Sequence, residues 1–562
     1  MNPRHLSKFA FVVFTLLSSL AFGQLQIGSS NTAFADPPVP HPKTTPCKVV
    51  LFEGYKFENY TPQNFPYTPP TSCPGPWAAV VLEADFSVTK GIQYDRTANI
   101  WIGPTNIYFG TTSEPDPNNA RHWHVERDLT TYSSIFTAAQ TGTVDLFNTY
   151  NTQYNGLLHG SATLYFYPLA PHQSPPSAAD QVIGFSGGAD GGTVGLDTTG
   201  QCCQTQLAET LTFPTNIESI FFDVFAQSQH NDEFWYSCVP NDIAGELDDC
   251  GSTAFRESEI TIDGTPAGVA PVYPWIFTGG IDPYLWIPIP GVQTMNFKPY
   301  QVNLTPFAAM LNDGNPHTIA LSVFNADFYF SATAALRLYL DAKSTQVTGA
   351  VTTNTLTVPN PTIVENLNTK ANGSIIGTVS TKSSHNFEIS GYANTSHGLV
   401  TTTVKQDIKF SNLQYFKDTS TQFEQNITQG TTVHSVVTSK TPTGTTVTTV
   451  NHDWPLVLDI NYVVAPDGSA TETTTSNQFF EGDSAARRNG VATTFGENRN
   501  RVITTDTLNF DSGGNFTGNT NMSSSQNYFA SDSTGYCYSR SLTAAGNVLT
   551  GITDGVGCTG TK

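Results

Sequence analysis

The run HNDEFWY, residues 230–236, sets an imidazole, a carboxamide, two carboxylates and three aromatic rings in seven positions. Only 13% of this chain is Asp, Glu, Lys or Arg, so such density marks a place where protons are moved or polar groups are held. Neighbouring carboxylates serve as general acid and general base when their surroundings push their pKa values apart. Other runs carry the same residue types. GIQYDR supplies Asp95 and Arg96, TSEP supplies Glu114, and HWH sets Trp123 between His122 and His124. FRE supplies Arg256 and Glu257, and TGGIDPYLW supplies Asp282 and Trp286.

If HNDEFWY is extended, alternation puts Asn231, Glu233 and Trp235 on one face and His230, Asp232, Phe234 and Tyr236 on the other. The first face would make Glu233 the catalyst, the second would give that role to Asp232, and a bulge would expose both. Structural readings compete at every position. Asp95 and Arg96 fit an ion pair at a strand end, and Glu114 before Pro115 fits a turn. Arg256 and Glu257 fit an internal salt bridge, and each Trp fits a core. His122 and His124 would share a strand face and could hold a metal, but no cysteine pair has the C-x-x-C spacing of a zinc knuckle. No G-x-S-x-G elbow occurs, and GFSGG (184–188) lacks the strand-to-helix setting of a serine nucleophile. The reading is proton transfer by carboxylates, with no metal and no cofactor.

The elements that must position these groups read as β-structure. The chain has 562 residues, 45 Gly, 35 Pro, 36 Phe and 22 Tyr, with few strong helix formers. Apolar runs such as WAAVVLEADFSV (77–88) and NIWIGPTNIYFGTT (99–112) alternate with turn residues at sandwich spacing. The expected fold is all-β, with two jelly-roll-like sandwiches at 47–172 and 173–345 and a third β-rich region at 346–562, with room for two subdomains. Residues 1–23 have the basic, apolar and small-residue order of a signal peptide, with cleavage after Gly23 or, later, after Ala35. Residues 24–46 read as an extended Pro-rich leader. The expected location is secreted or periplasmic, without stable membrane association.

Net charge is −21, with no basic cluster beyond ENRNR (497–501), which argues against a nucleic-acid partner. Sparse charge also suits an acid-tolerant protein. Eight cysteines fit an oxidising compartment. Proximity suggests Cys47–Cys73, Cys238–Cys250 and Cys537–Cys558, while adjacent Cys202 and Cys203 are poorly placed to bridge each other.

Taken in order, QYDR, the S-E-P turn, the W-x-V-x-x-D-x-T-x-Y run, HNDEFWY, the R-E pair and TGGIDPYLWIPI resemble the secreted peptide N-glycosidase A family over about residues 47–345. The His residues flanking Trp123 depart from that family's pattern. The resemblance implies an amidase that cleaves between an Asn side chain and the first GlcNAc of an N-glycan, core α1,3-fucosylated glycans included, at acidic pH. It implies a glycopeptide or glycoprotein substrate; a monomer is the expected state. By analogy with another bacterial N-glycosidase family, the site would lie between paired jelly rolls. Asp232, Glu233, Asp95 and Glu114 are then the candidate acid and base residues. Arg96, His230, Asn231, Arg256, Glu257 and Asp282 would orient substrate. Trp123, Trp235, Tyr236 and Trp286 would cover sugar faces. A glycoside hydrolase and a non-catalytic glycan-binding adhesin are the alternatives.

Overall fold

A computed structural model describes residues 25–558; the signal-peptide segment lies outside the described residues. Eight strands build the first sandwich: β1 (Cys47–Phe57), β2 (Gln63–Tyr67), β3 (Trp77–Val88), β4 (Thr97–Ile102), β5 (Thr105–Thr111), β6 (Arg121–Asp128), β7 (Gln140–Leu146) and β8 (Leu158–Pro168). They form two antiparallel sheets, in the orders β1-β8-β3-β6 and β2-β7-β4-β5. This crossing pattern is a jelly roll. Strand β3 shows why it forms: Val80, Leu82, Ala84, Phe86 and Val88 fall on one face and are buried between the sheets.

The second sandwich repeats the topology with β9 (Gln181–Phe185), β10 (Val194–Leu196), β11 (Leu207–Thr212), β12 (Ile217–Gln229), β13 (Glu257–Ile262), β14 (Thr265–Pro271), β15 (Tyr300–Asn303), β16 (Pro316–Phe324) and β17 (Tyr329–Leu340). One sheet runs β10-β17-β12-β15 with β9 also on β17, and the other runs β11-β16-β13-β14.

The C-terminal region is one eleven-stranded antiparallel sheet, not two subdomains. Most of it is a meander of long strands, such as Gly398–Thr419 (22 residues) and Gly444–Val464 (21 residues). Their apolar alternation buries Ile408, Phe410, Leu456 and Leu458 in the core that also holds Ile260, Phe307 and Leu321 of the second jelly roll. The leader is docked rather than free. Gly28 N–H donates to Leu549 O at 2.7 Å, Ala35 N–H donates to Gln526 Oε1 at 2.6 Å, and Ala33 and Ala35 are buried. No helix among the described residues is long and apolar enough to cross a membrane.

Disulfides join Cys238 to Cys250, Cys537 to Cys558 and, against the sequence expectation, Cys202 to Cys203. Cys47 and Cys73 are free thiols, which corrects the expected bridge between them. Cys73 instead donates to Phe166 O at 3.5 Å, across the β1–β8 ladder in which Cys47 faces Phe166.

Candidate active site

A cleft of about 990 Å³ lies between the jelly rolls. The β2-β7-β4-β5 sheet forms one wall, with Asn64, Thr97, Asn99, Thr111, Thr143 and Asp145 facing the cleft. Strands β12 and β17 supply Gln227, Gln229, Tyr329 and Ser331 opposite. The rolls are joined at its floor: Gln227 Nε2 donates to Thr97 Oγ1 at 3.0 Å. The segment from Thr278 to Phe297 crosses from the second roll to the first and is pinned there. Thr278 Oγ1 donates to Thr112 O at 2.6 Å, and Tyr108 O–H donates to Met295 O at 2.7 Å.

Asp95, Arg96, Glu114 and Glu233 line this cleft together. Asp95 N–H donates to Glu114 Oε1 at 3.0 Å. Gly279 closes on both carboxyls: its N–H donates to Asp95, and a Cβ there would stand 2.4 Å from Glu114 Oε1 and 2.6 Å from Asp95 Oδ1. Only a residue without a side chain fits that approach. Burial raises Asp95, to about 6, although Gly279 N–H and Arg96 oppose it. Burial, then the charge of Asp95, raises Glu114 further, so Glu114 is the protonated partner of the pair. Glu233 is lifted to about 7 by burial and by Asp95.

Arg96 is aimed by its neighbours. Its Nε donates to Asn148 Oδ1 at 3.2 Å and its Nη2 to Gln93 Oε1 at 3.1 Å. Gln93 is itself fixed, donating to Thr149 O and Gly156 O at 3.0 Å each. The QYDR motif is thus a folded loop in which Gln93 holds Arg96.

HNDEFWY is not extended. Strand β12 ends at Gln229, and His230–Asp232 form a 3-10 turn that His230 enters at φ +56°. The turn sends successive residues to different environments. Asp232 points inward, fully buried: Arg256 Nε donates to it at 2.8 Å, and the N–H groups of Asp327 and Phe328 donate at 3.0 and 2.7 Å. Glu233 emerges into the cleft. Asp232 is therefore a structural residue.

Several expected binding residues are also placed elsewhere. Arg256 is buried and donates to Ser252, Thr253 and Phe255 carbonyls, pairing with Asp232 and not with Glu257. Glu257 lies 3.3 Å from buried His385, behind the cleft wall. Asp282 caps a short turn by accepting from Tyr284 N–H at 2.9 Å. Trp123, Trp235, Tyr236 and Trp286 are core residues at 5%, 1%, 1% and 1% exposure, so no sugar ring reaches their faces. Large aromatic surface is worth most when removed from water, and the fold took these rings for packing. His230 stacks on Phe328 at 3.9 Å, and Asn231 Nδ2 donates to Asp327 Oδ2 at 3.3 Å; both are exposed beside the turn but do not line the cleft. His124 is engaged by Asp85 (2.8 Å) and Glu126 (3.4 Å). Burial alone would lower it, but these carboxylates lift it to about 10, the protonated form that binds no metal through either nitrogen.

Sequence reasoning missed the aromatic rim. Tyr60, Tyr94 and Phe147 line the cleft at 64%, 53% and 40% exposure, with Tyr60 stacked on Phe147 at 6.1 Å. Tyr60 and Phe147 sit in loops beside Asn, Thr and Gln, in FENYTPQ and LFNTYNTQY, and that polar setting was the available signal; Tyr94 is the aromatic residue of QYDR. Asp145 and Asp190, also missed, add two more carboxylates to the lining.

The family model described as "Peptide N-acetyl-beta-D-glucosaminyl asparaginase amidase A" matches residues 37–357. The chain is 31% identical over 396 residues to the Peptide-N4-(N-acetyl-beta-glucosaminyl)asparagine amidase A of Prunus dulcis, covering 67% of each chain. Among solved structures it is similar to PNGF-II (TM-score 0.37, 10% identity, 53% of this chain and 66% of that one). It is also similar to recombinant peptide:N-glycanase F (TM-score 0.34, 12% identity, 53% of this chain and 96% of that one). With that extent of match, spanning every residue that lines the cleft, the chain belongs to the peptide N-acetyl-β-D-glucosaminyl asparaginase amidase A family and is an amidase of that class.

Proposed function

We propose that the enzyme hydrolyses the Asn–GlcNAc amide of N-glycopeptides in the cleft between the jelly rolls, releasing the intact glycan and leaving Asp. The observation that carries this reading is the meeting of three raised carboxyls, Asp95, Glu114 and Glu233, from three separate segments, under an exposed aromatic rim. Asp95 is the base. It has the lowest pKa of the three, and its orientation is set by Gly279 N–H and by the Glu114 proton. It takes a proton from the attacking water. Glu233, protonated on the acid side of about 7, returns a proton to the departing glycosylamine nitrogen. Arg96, with Nε and Nη2 held by Asn148 and Gln93, offers Nη1 to the oxygen that gains charge in the tetrahedral intermediate. Tyr60 and Phe147 cover the sugar.

An optimum on the acid side of neutrality follows from these groups. Acceptance of core α1,3-fucosylated glycans rests on the family resemblance and on the size of the cleft. Export rests on the order of residues 1–23. The docking of Gly28, Ala33 and Ala35 supports cleavage after Gly23 rather than after Ala35, because the later cut would remove a packed segment.

The test is digestion of a glycopeptide pair, with and without core fucose, followed by mass spectrometry. Conversion of the glycosylated Asn to Asp with release of the whole glycan is the expected result. A peptide that retains GlcNAc on Asn would instead identify a glycoside hydrolase, and an unchanged peptide a binding protein.

A further inference from the structure

We infer that a second cavity, between the second jelly roll and the C-terminal meander, is a non-catalytic binding site for a short neutral oligosaccharide. It measures about 630 Å³ and shares no lining residue with the catalytic cleft. That volume lies within the range of about 300–1,000 Å³ typical of small-ligand sites.

The cavity exists because of which residues face each other. Sheets that pack face to face fill the space between them with interdigitating side chains. Here the jelly roll presents Ser219, Ala226 and Ala270, and the meander presents Thr402, Ser435 and Ser439. Small side chains on both walls hold the gap open. Elsewhere along the same interface large side chains such as Phe410 and Leu456 close it.

One end is an aromatic wall. Trp454 lies 5.5 Å from Tyr273, 6.1 Å from Tyr300 and 5.4 Å from His452, and stacks on Phe480 at 5.8 Å. All five line the cavity; Tyr300, His452 and Phe480 are half-buried and present ring surface to it, while buried Trp454 and Tyr273 hold them in place. The polar groups there with no partner within the protein include Ser258 Oγ and Trp454 Nε1, on residues 1% and 3% exposed. Unpaired buried donors are costly, so they point to a hydrogen-bonding occupant. Amides of Gln293, Gln301 and Asn303 add donors and acceptors.

The charge pattern selects the class of ligand. Among the described residues lining the cavity there is no carboxylate, and Lys298 is the one Lys or Arg, at the end that opens into a neighbouring 980 Å³ recess. Without paired carboxylates the cavity binds rather than cleaves. Aromatic faces combined with hydroxyls and amides, and almost no charge, suit a sugar's apolar face and hydroxyl edge. The inference is independent of the amidase reading, since no residue of the cleft enters it.

The test uses the full-length protein with free oligosaccharides that carry no Asn–GlcNAc amide, so the proposed amidase has nothing to cleave. Titration with N,N′-diacetylchitobiose and with mannotriose, followed by calorimetry and tryptophan fluorescence, should show saturable binding of at least one. Filling the cavity with Ser435→Phe should weaken it about tenfold or more, the scale of losing one good stacking contact. Tyr60→Ala, at the catalytic cleft, should leave the component lost in Ser435→Phe in place. If Ser435→Phe fails to fold, Trp454→Phe removes the unpaired N–H while keeping an aromatic ring, and should weaken binding in the same direction. Absence of saturable binding of both sugars overturns the inference. So does binding that survives the cavity variant but is lost in Tyr60→Ala, which would place the sugar in the catalytic cleft alone.

Discussion

Arg256 Nε donates to Asp232 Oδ1 at 2.8 Å, with both side chains fully buried. This pair anchors the turn that follows β12, and with Asp232 drawn inward the next residue, Glu233, is delivered to the cleft. Two adjacent carboxylates therefore have separate duties. Asp232→Ala should leave the Arg256 charge buried without its partner and cost about 3–5 kcal/mol of stability. Glu233→Gln should keep the melting temperature and lose roughly 10²–10⁴-fold in kcat. Thermal melts and steady-state kinetics on the two variants separate the roles; equal stability losses would show that Glu233 is structural too.

Gly279 is the second positioning element. A Cβ at that position would overlap both Glu114 and Asp95, so Gly279→Ala must displace one or both carboxyls. Displacing reacting groups by about 1 Å costs roughly 100-fold in rate. The expected outcome is a kcat loss of that order with a near-native melting curve, since the atoms nearest the added Cβ are the ends of two side chains, with no backbone atom among them.

The aromatic rim should act on binding. Tyr60→Ala and Phe147→Ala remove surface that is already largely solvent-exposed, so stability should hardly change. Each should raise KM for glycopeptide by roughly 2- to 10-fold, the equivalent of about 0.5–1.5 kcal/mol of stacking, with kcat preserved. A fall in kcat at constant KM would place these rings closer to the reacting bond than the cleft suggests.

The pH profile of kcat/KM should be bell-shaped. Asp95 must be ionised, which sets the acid limb near 6, and Glu233 must be protonated, which sets the alkaline limb near 7. Glu233→Gln should remove the alkaline limb from the residual activity. A maximum above neutrality would transfer the base role away from Asp95.

Stability should depend on pH through a carboxyl pair that does not line the cleft. Buried Asp282 of the second jelly roll hydrogen-bonds buried Asp506 of the meander. Burial, with a further contribution from the charge of Asp506, raises Asp282 from 3.8 to about 7. The folded state therefore binds a proton that the unfolded chain has released. Its stabilising effect is complete below about pH 4 and is lost as pH rises towards 7. The buried carboxyls of Glu114 and Glu257 are raised as well and act with the same sign. The melting temperature should be higher at pH 5 than at pH 7.5, and Asp282→Asn should flatten that difference. An unchanged slope in the variant would assign the pH dependence to the other carboxyls.

The sequence by itself determined the all-β class, the two sandwiches and the residues that carry the family's motifs, because alternation and turn residues are local properties of the chain. It singled out Asp95, Arg96, Glu114 and Glu233 from residue type and order. What it left open was which of Asp232 and Glu233 reaches the cleft, and a period-two reading could not decide that. The answer depends on a 3-10 turn whose geometry is imposed by Arg256, twenty-four residues further on. Nor could residue type tell a ring that packs from a ring that binds. Trp235 and Trp286 are in the core, and Tyr60 and Phe147 are at the cleft. That choice is made when two jelly rolls and a meander compete for the same apolar surface, and only the tertiary structure records which rings were left in water.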